Sequence, residues 1–238
     1  MTPTLRRSQG VPITTDDTRR RPVQGKVDFT LMYAVHDAFH RDLRYLTAAV
    51  EAGQTADPVV RAGWATFKNQ LHVHHTAEDT SLWPPLRQKV TRPDETAVLD
   101  AMEAEHARID PLLALVDTSL AASGRAGMAD NATALAGTLA AHMKHEEDQA
   151  LPLVEEHLGP AGWAAFRKAT GKIQGLRGGA EFFPWMLDGA SADTSKRVLS
   201  TLPPPARLLY RAVWRPRYAR TPRWNTTTTR TITERPGP

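Results

Sequence analysis

The strongest constraint on the fold is a set of four helical patterns in which histidine and glutamate occupy positions that are otherwise apolar. The first pattern steps through Met32, His36 and Phe39, and the third repeats it with every residue number raised by 70. The second and fourth patterns match each other in the same way at an offset of 68. Steps of three and four residues mark one buried face of a helix. The chain is therefore predicted to be all-α, with a four-helix bundle built from two helical hairpins of one design.

Helix-start and helix-stop signals separate the patterns. Gly53 follows the first, Asp57 and Pro58 begin the second, Pro93 begins the third, and the fourth meets Pro152. Such residues are typical of helix ends, because they supply caps or fix the first turn. The predicted organisation is a flexible N-terminal arm over residues 1–25, the bundle over 26–156, a helical extension over 157–220 and a disordered basic tail over 221–238.

The chain has no cysteine and no long apolar segment. The lack of thiols excludes disulfides, Fe–S clusters, thiolate zinc sites and cysteine nucleophiles. No run of about 18 apolar residues exists, so no segment is predicted to span a membrane. Since the N-terminal arm also lacks the apolar stretch of a secretory signal, we expect a cytoplasmic protein.

The four patterns place polar residues where a bundle buries its side chains. In the second and fourth helices a histidine and a glutamate lie four residues apart and project from one face. Burying a carboxylate among apolar residues is costly unless a charge pairs with it, so a metal site is the simplest explanation. The predicted metal ligands are His36, His74, Glu78, His106, His142 and Glu146.

The number of ligands favours two ions. If both glutamates and an oxo or hydroxo group bridge the ions, the set fills about ten of twelve octahedral positions. One tetrahedral zinc would need only about four ligands. Imidazole and carboxylate donors without sulfur favour iron, with manganese as the alternative. The predicted cofactor is therefore a pair of iron ions.

Four further side chains are candidates for additional ligands or for support of the ligands. His75 is rotated by about 100° from His74 on an ideal helix, so His74 is preferred as the ligand. His75 and Asp79, which lies four residues after it, are interpreted as supporting or surface residues. Two others lie four residues after an inward histidine, and one lies beside the pair of the fourth helix. The candidates are His40, His75, Asp110 and His145.

At these residues the chain resembles the hemerythrin-like (HHE cation-binding) family. The resemblance lies in His36 of VHDAFHRDL, His74 and Glu78 of HHTAEDTSLWP, His106 of AEHARIDPLL, and His142 and Glu146 of HMKHEEDQALP. It covers about half of the chain. The resemblance implies an up-and-down bundle with a non-haem di-iron centre that binds or reacts with oxygen, peroxide or nitric oxide.

The sequence departs from relatives of known role in two ways. Oxygen-carrying hemerythrins have a fifth histidine on the third helix, roughly where Asp110 lies here. One ligand fewer leaves more coordination positions open, which favours reactivity or sensing over reversible oxygen carriage. Members that repair Fe–S clusters have an additional segment with cysteine, which argues against that role for a chain without cysteine.

Two alternatives to a redox-active di-iron protein remain. One is a metal-storage or signalling module whose basic C-terminal segment contacts a partner, a membrane surface or nucleic acid. Arginines alternate with apolar residues near Leu208 and Trp214, although this pattern favours a helix packed on the bundle with solvated arginines. The other is a ferritin-like oxidase, which needs two Glu-x-x-His motifs, whereas only Glu103 to His106 fits.

Overall fold

The computed structural model describes residues 25–122 and 127–224, and the regular structure of these residues is entirely helical. Residues 1–24 of the predicted N-terminal arm and residues 225–238 of the predicted tail lie outside the described residues. The helices are α1 (Thr30–Glu51), α2 (Pro58–Ser81), α3 (Trp83–Arg87), α4 (Pro93–Ala121), α5 (Met128–His145), α6 (Leu151–Leu153), α7 (Gly159–Met186), α8 (Ala192–Ser200), α9 (Pro204–Leu209) and α10 (Arg215–Ala219).

Helices α1, α2, α4 and α5 form the four-helix bundle. Each packs against two of the others, so that the set closes in the order α1, α2, α4, α5. The predicted signals at the end of α1 and at the starts of α2 and α4 act as expected. Asp57 caps α2 by accepting a hydrogen bond from the Val59 amide, and Pro93 is the first residue of α4. Gly53 and Gly127 take positive φ angles at the end of α1 and the start of α5. The predicted all-α up-and-down bundle with a helical extension is confirmed.

The fourth helix of the bundle does not end at Pro152. The helical backbone continues through two π-helical turns, Glu146–Ala150 and Val154–Leu158, which flank α6 and lead into α7. A π-helical turn holds one residue more than an α-helical turn. Such turns let the helix continue through Pro152, which has no amide hydrogen to donate. Glu146 and Ala150 are both buried.

The buried side chains form two apolar clusters along the bundle axis. One includes Phe39, Leu71, Ile109 and Leu139, and the other includes Met32, Leu82, Met102 and Ala150. On each bundle helix, the segment between these two clusters carries the inward histidine or glutamate. A polar layer therefore lies between two apolar layers. This arrangement is what excludes water from the centre of the bundle.

The helical extension is fastened to α1 by a buried polar network. Trp185 near the end of α7 donates its indole N–H to Asp42 Oδ2 at 2.8 Å. Arg41 donates to Asp42 Oδ1 and also to the carbonyl oxygens of Trp185 and Asp188, at 2.8 and 2.6 Å. Burial raises the pKa of Asp42 despite this nearby guanidinium. The positive charge of Arg41 therefore favours the ionised form of Asp42, which burial disfavours.

The C-terminal part of the described chain returns to α2. Trp224 is buried, and its amide donates to the Val59 carbonyl at 2.8 Å. Its ring lies directly over Gly63, where even a Cβ would lie 2.3 Å from the indole. Trp224 thus has a fixed position within the tail that the sequence predicted to be disordered. Among the described residues, no helix is both long and apolar enough to cross a bilayer.

Replacing Arg41 with Met should destabilise the protein strongly, because it leaves the buried carboxylate of Asp42 without a compensating charge. We expect the free energy of unfolding to fall by about 3 kcal/mol or more, measured by urea denaturation followed by circular dichroism. The matched control is Arg44→Met on the exposed side of α1, which should cost well under about 1 kcal/mol. Equal effects of the two substitutions would contradict a role for the network.

Candidate metal centre

The polar layer of the bundle contains five histidines and two glutamates that come from all four bundle helices. His36 lies on α1 and His106 on α4, while α2 supplies two histidines and Glu78. The last part of the set comes from the end of α5 and the π-helical turn that follows it, a type of distortion that is frequent at functional sites. The seven residues are His36, His74, His75, Glu78, His106, His142 and Glu146.

Six of these side chains form two groups, each of which offers three ligand atoms within 4.8 Å of one another. The first group is His36, His74 and Glu146, and the second is His75, His106 and His142. In the first, His36 Nε2 lies 3.2 Å from Glu146 Oε2. In the second, the Nε2 atoms of His106 and His142 lie 3.2 Å apart. Each group can therefore surround one ion.

Glu78 lies between the two groups. Its Oε1 is 3.3 Å from His74 Nε2 of the first group, and its Oε2 is 3.7 Å from His106 Nε2 of the second. Glu146 lies close enough to His142 to oppose the lowering of that histidine's pKa by burial. Glu78 thus faces both groups, and Glu146, a member of the first group, also influences a histidine of the second. A carboxylate with one oxygen toward each group is suited to bridging two ions.

The centre is a cluster of buried polar atoms without hydrogen-bond partners among the described residues. All four carboxylate oxygens of Glu78 and Glu146 are unpartnered, as are the Nε2 atoms of His36, His74 and His75. Native proteins leave few buried polar atoms unsatisfied. These unpartnered atoms converge on one place and offer only nitrogen and oxygen donors, so the residues fit a pair of metal ions.

Electrostatics show why the centre favours cations. Burial, together with the nearby charge of Glu146, raises the pKa of Glu78 well above its usual value. Burial alone would lower the pKa of His36, but the charges of Glu146 and Glu147 outweigh it and raise that pKa to about 9. Without an added cation, protons on Glu78 and His36 therefore offset the negative charge of the centre. Metal ions can replace those protons.

Carboxylates around the centre fix the orientation of three histidine rings. The Nδ1 atom of His106 is 2.8 Å from Asp79 Oδ1, and that of His36 is 2.7 Å from Glu147 Oε1. The Nδ1 atom of His142 is 2.9 Å from Glu105 Oε2. A ring that donates its Nδ1 proton to a carboxylate presents an unprotonated Nε2 to a metal. The three Nε2 atoms therefore point toward the centre of the bundle, where they could bind a metal.

The structure adds His75 to the residues preferred from the sequence. The prediction from the sequence assumed that α2 has one inward face, but α2 packs against two neighbours, α1 and α4. His74 consequently contacts His36 of α1, while the ring of His75 stacks on that of His106 of α4 with centroids 3.8 Å apart. The angle of about 100° between adjacent residues of one helix separates these two directions. Both histidines face the centre.

The other sequence candidates lie outside the two groups. Asp110 is exposed, His40 is half-buried, and His145 donates to Glu105 at 2.9 Å. Glu103, the glutamate of the one ferritin-like motif, is exposed and pairs with Arg87. The contact of Glu105 with His142 was not predicted from the sequence. Glu105 lies next to His106 in the chain, but that position does not reveal a contact with α5.

A comparison with known proteins bears on this geometry. No curated protein and no solved structure matches the chain. The family model described as the hemerythrin HHE cation binding domain matches residues 27–154, which is more than half of the chain and contains every residue of the centre. The chain therefore belongs to the hemerythrin HHE cation-binding family.

Proposed function

We propose that the chain is a non-haem di-iron protein that binds or reacts with oxygen, peroxide or nitric oxide. The observation that supports this proposal is the pair of buried three-ligand groups with Glu78 between them. Imidazole and carboxylate donors without thiolate suit iron, with manganese as the alternative. Two iron ions, when bound, supply a centre that can bind such a ligand and exchange two electrons with it.

The ligand count leaves room for one small ligand. Five imidazoles, two bridging carboxylates and a bridging oxo or hydroxo group would fill about eleven of twelve octahedral positions. With His75 as a fifth histidine, the centre would no longer have one protein ligand fewer than the oxygen-carrying hemerythrins. The ligand count then does not favour reactivity over reversible oxygen binding. Both modes are therefore part of the proposal.

The surrounding residues would have defined tasks. Asp79, Glu105 and Glu147 would keep the histidine rings in place and hold their Nδ1 protons. The apolar clusters on either side of the polar layer would keep bulk water from the ligand. Neither task requires movement of the bundle, since the groups already converge.

His75→Ala should lower the iron content of the purified protein from about two ions per chain toward about one, because the second group loses one of its three nitrogen donors. The matched control is His72→Ala on the exposed side of α2, which should retain the wild-type content. Iron is measured by atomic absorption, together with the optical spectrum of the aerobic protein. Unchanged iron in His75→Ala would show that this histidine is not a ligand.

Glu78→Ala should abolish any consumption of peroxide by the iron-loaded protein, because it removes the carboxylate that lies between the groups. The decrease in peroxide absorbance is measured against wild type and against Glu103→Ala, an exposed carboxylate of α4. The control should behave as wild type. If wild type consumes no peroxide, the enzymatic form of the proposal fails and ligand binding remains to be measured by spectroscopic titration with nitric oxide.

A second candidate function is attachment of the extension to an anionic membrane surface. Leu208, Leu209 and Val213 are exposed, Leu208 by 67%, and they lie beside the exposed Arg211 and Arg215. Basic helical segments with an apolar face bind anionic bilayers. The sequence alone favoured solvated arginines, but it did not predict that these three apolar side chains face solvent.

The double substitution Leu208→Ser and Val213→Ser should weaken co-sedimentation with phosphatidylglycerol vesicles severalfold, since it removes exposed apolar area. The control is Leu115→Ser, another exposed apolar residue, on α4 of the bundle. Phosphatidylcholine vesicles should bind neither variant. Equal retention of both variants on phosphatidylglycerol, or salt-sensitive retention on DNA alone, would contradict membrane attachment.

A further inference from the structure

A large apolar cavity lies between the bundle and the helical extension. Its volume is about 540 Å³, and its walls come from α1, α2, α7 and the segment around α9. Pockets of about 300 to 1,000 Å³ are typical of sites for small organic ligands. The apolar part of the wall includes Leu31, Val35, Val73, Trp163, Phe183 and Trp214.

A kink in α7 contributes to this cavity. Gly175 has φ 63° and ψ 179°, a conformation outside the helical region that only glycine adopts readily. The helix therefore changes direction as it crosses α2. Gly175 and Gly179 both line the cavity, and a Cβ at either position would meet no atom within 4 Å. The space is thus formed by the path of the backbone.

One buried polar side chain in the cavity wall lacks a partner. Gln70 is 1% exposed, and its Oε1 accepts a hydrogen bond from Gln174 Nε2 at 3.2 Å. Its Nε2 has no partner among the described residues. A buried amide donor left unsatisfied is costly, so an oxygen atom supplied by a ligand would stabilise it. His74 of the metal centre follows one turn later and lines the same cavity.

The charged side chains at the cavity are positive. Arg167 and Lys168 line it, are exposed, and form no ion pair with any residue in the described ranges. Between Gly159 and Ala180 the sequence contains no acidic residue. The cations therefore mark the side where the cavity meets solvent, and they favour an anionic group there.

We propose that this cavity binds an oxygenated fatty acid. The hydrocarbon chain contacts the apolar wall, the carboxylate pairs with Arg167 and Lys168, and a hydroxyl or hydroperoxyl oxygen on the chain accepts a hydrogen bond from Gln70. This site goes beyond the di-iron function, because binding needs no iron. Since His74 belongs to the wall, the chain oxygen lies on the side of the cavity next to the metal centre.

Isothermal titration calorimetry with 12-hydroxydodecanoate and dodecanoate tests the site on the full chain. We expect one site per chain and tighter binding of the hydroxylated acid. Dodecyltrimethylammonium, which has the same chain and the opposite charge, should bind at least tenfold more weakly than dodecanoate. Absence of dodecanoate binding, or equal binding of the cationic analogue, would overturn the proposal.

Gly179→Leu should weaken binding of both acids at least tenfold, because the added side chain fills the cavity without a backbone clash. The matched control is Gly137→Leu, an exposed helical glycine of α5 whose Cβ also meets open space. Iron content should be unchanged in both variants, which separates failure of this site from failure of the metal centre. Wild-type affinity in Gly179→Leu would show that the acid binds elsewhere.

Two further variants test the polar contacts. Arg167→Gln combined with Lys168→Gln should weaken binding of both acids, whereas Lys172→Gln, an exposed cation of α7 outside the cavity, should not. Gln70→Leu should remove the preference for the hydroxylated acid and leave dodecanoate binding in place. If Gln70→Leu keeps that preference, the chain oxygen does not contact Gln70 and the assignment of an oxygenated ligand is wrong.

Discussion

The structure depends on two carboxylates, Glu78 and Glu146, that are fully buried at the middle of a helical bundle. An isolated buried carboxylate is strongly unfavourable, so its neighbours must supply positive charge or protons. Histidines from all four bundle helices surround the pair, and the four helices are thereby held in one register. Metal binding and folding are consequently coupled, since ions that neutralise these carboxylates also stabilise the bundle.

The sequence predicted much of this centre because the bundle is regular. Periodicity placed His36, His106 and the two His-x-x-x-Glu pairs inside, and the structure brings all six together. The contribution of His75 was not predicted, because a single helical stripe describes contact with one neighbour. Contacts between helices, such as that of Glu105 with His142, depend on helix rotation, which one sequence does not specify.

The helical extension was less predictable for a different reason. Its position depends on particular tertiary contacts, above all the hydrogen bond from Trp185 to Asp42 and the packing of Trp224 over Gly63. Neither contact leaves a periodic signal. The sequence indicated helices after residue 157, but the kink at Gly175 and the cavity beneath it follow from the path of the backbone.

The extension also makes the two halves of the bundle unequal. The hairpins are related by their sequence patterns, yet α7 packs on α1 and α2, and the cavity draws its bundle residues from these two helices alone. His74 therefore faces an apolar space, whereas its counterpart His142 is bonded to Glu105. Two ions held in these groups would differ in their surroundings as well as in their ligands, since one group has a glutamate and the other has three histidines. His74 lines the cavity and His142 does not, so the extension distinguishes one side of the centre from the other.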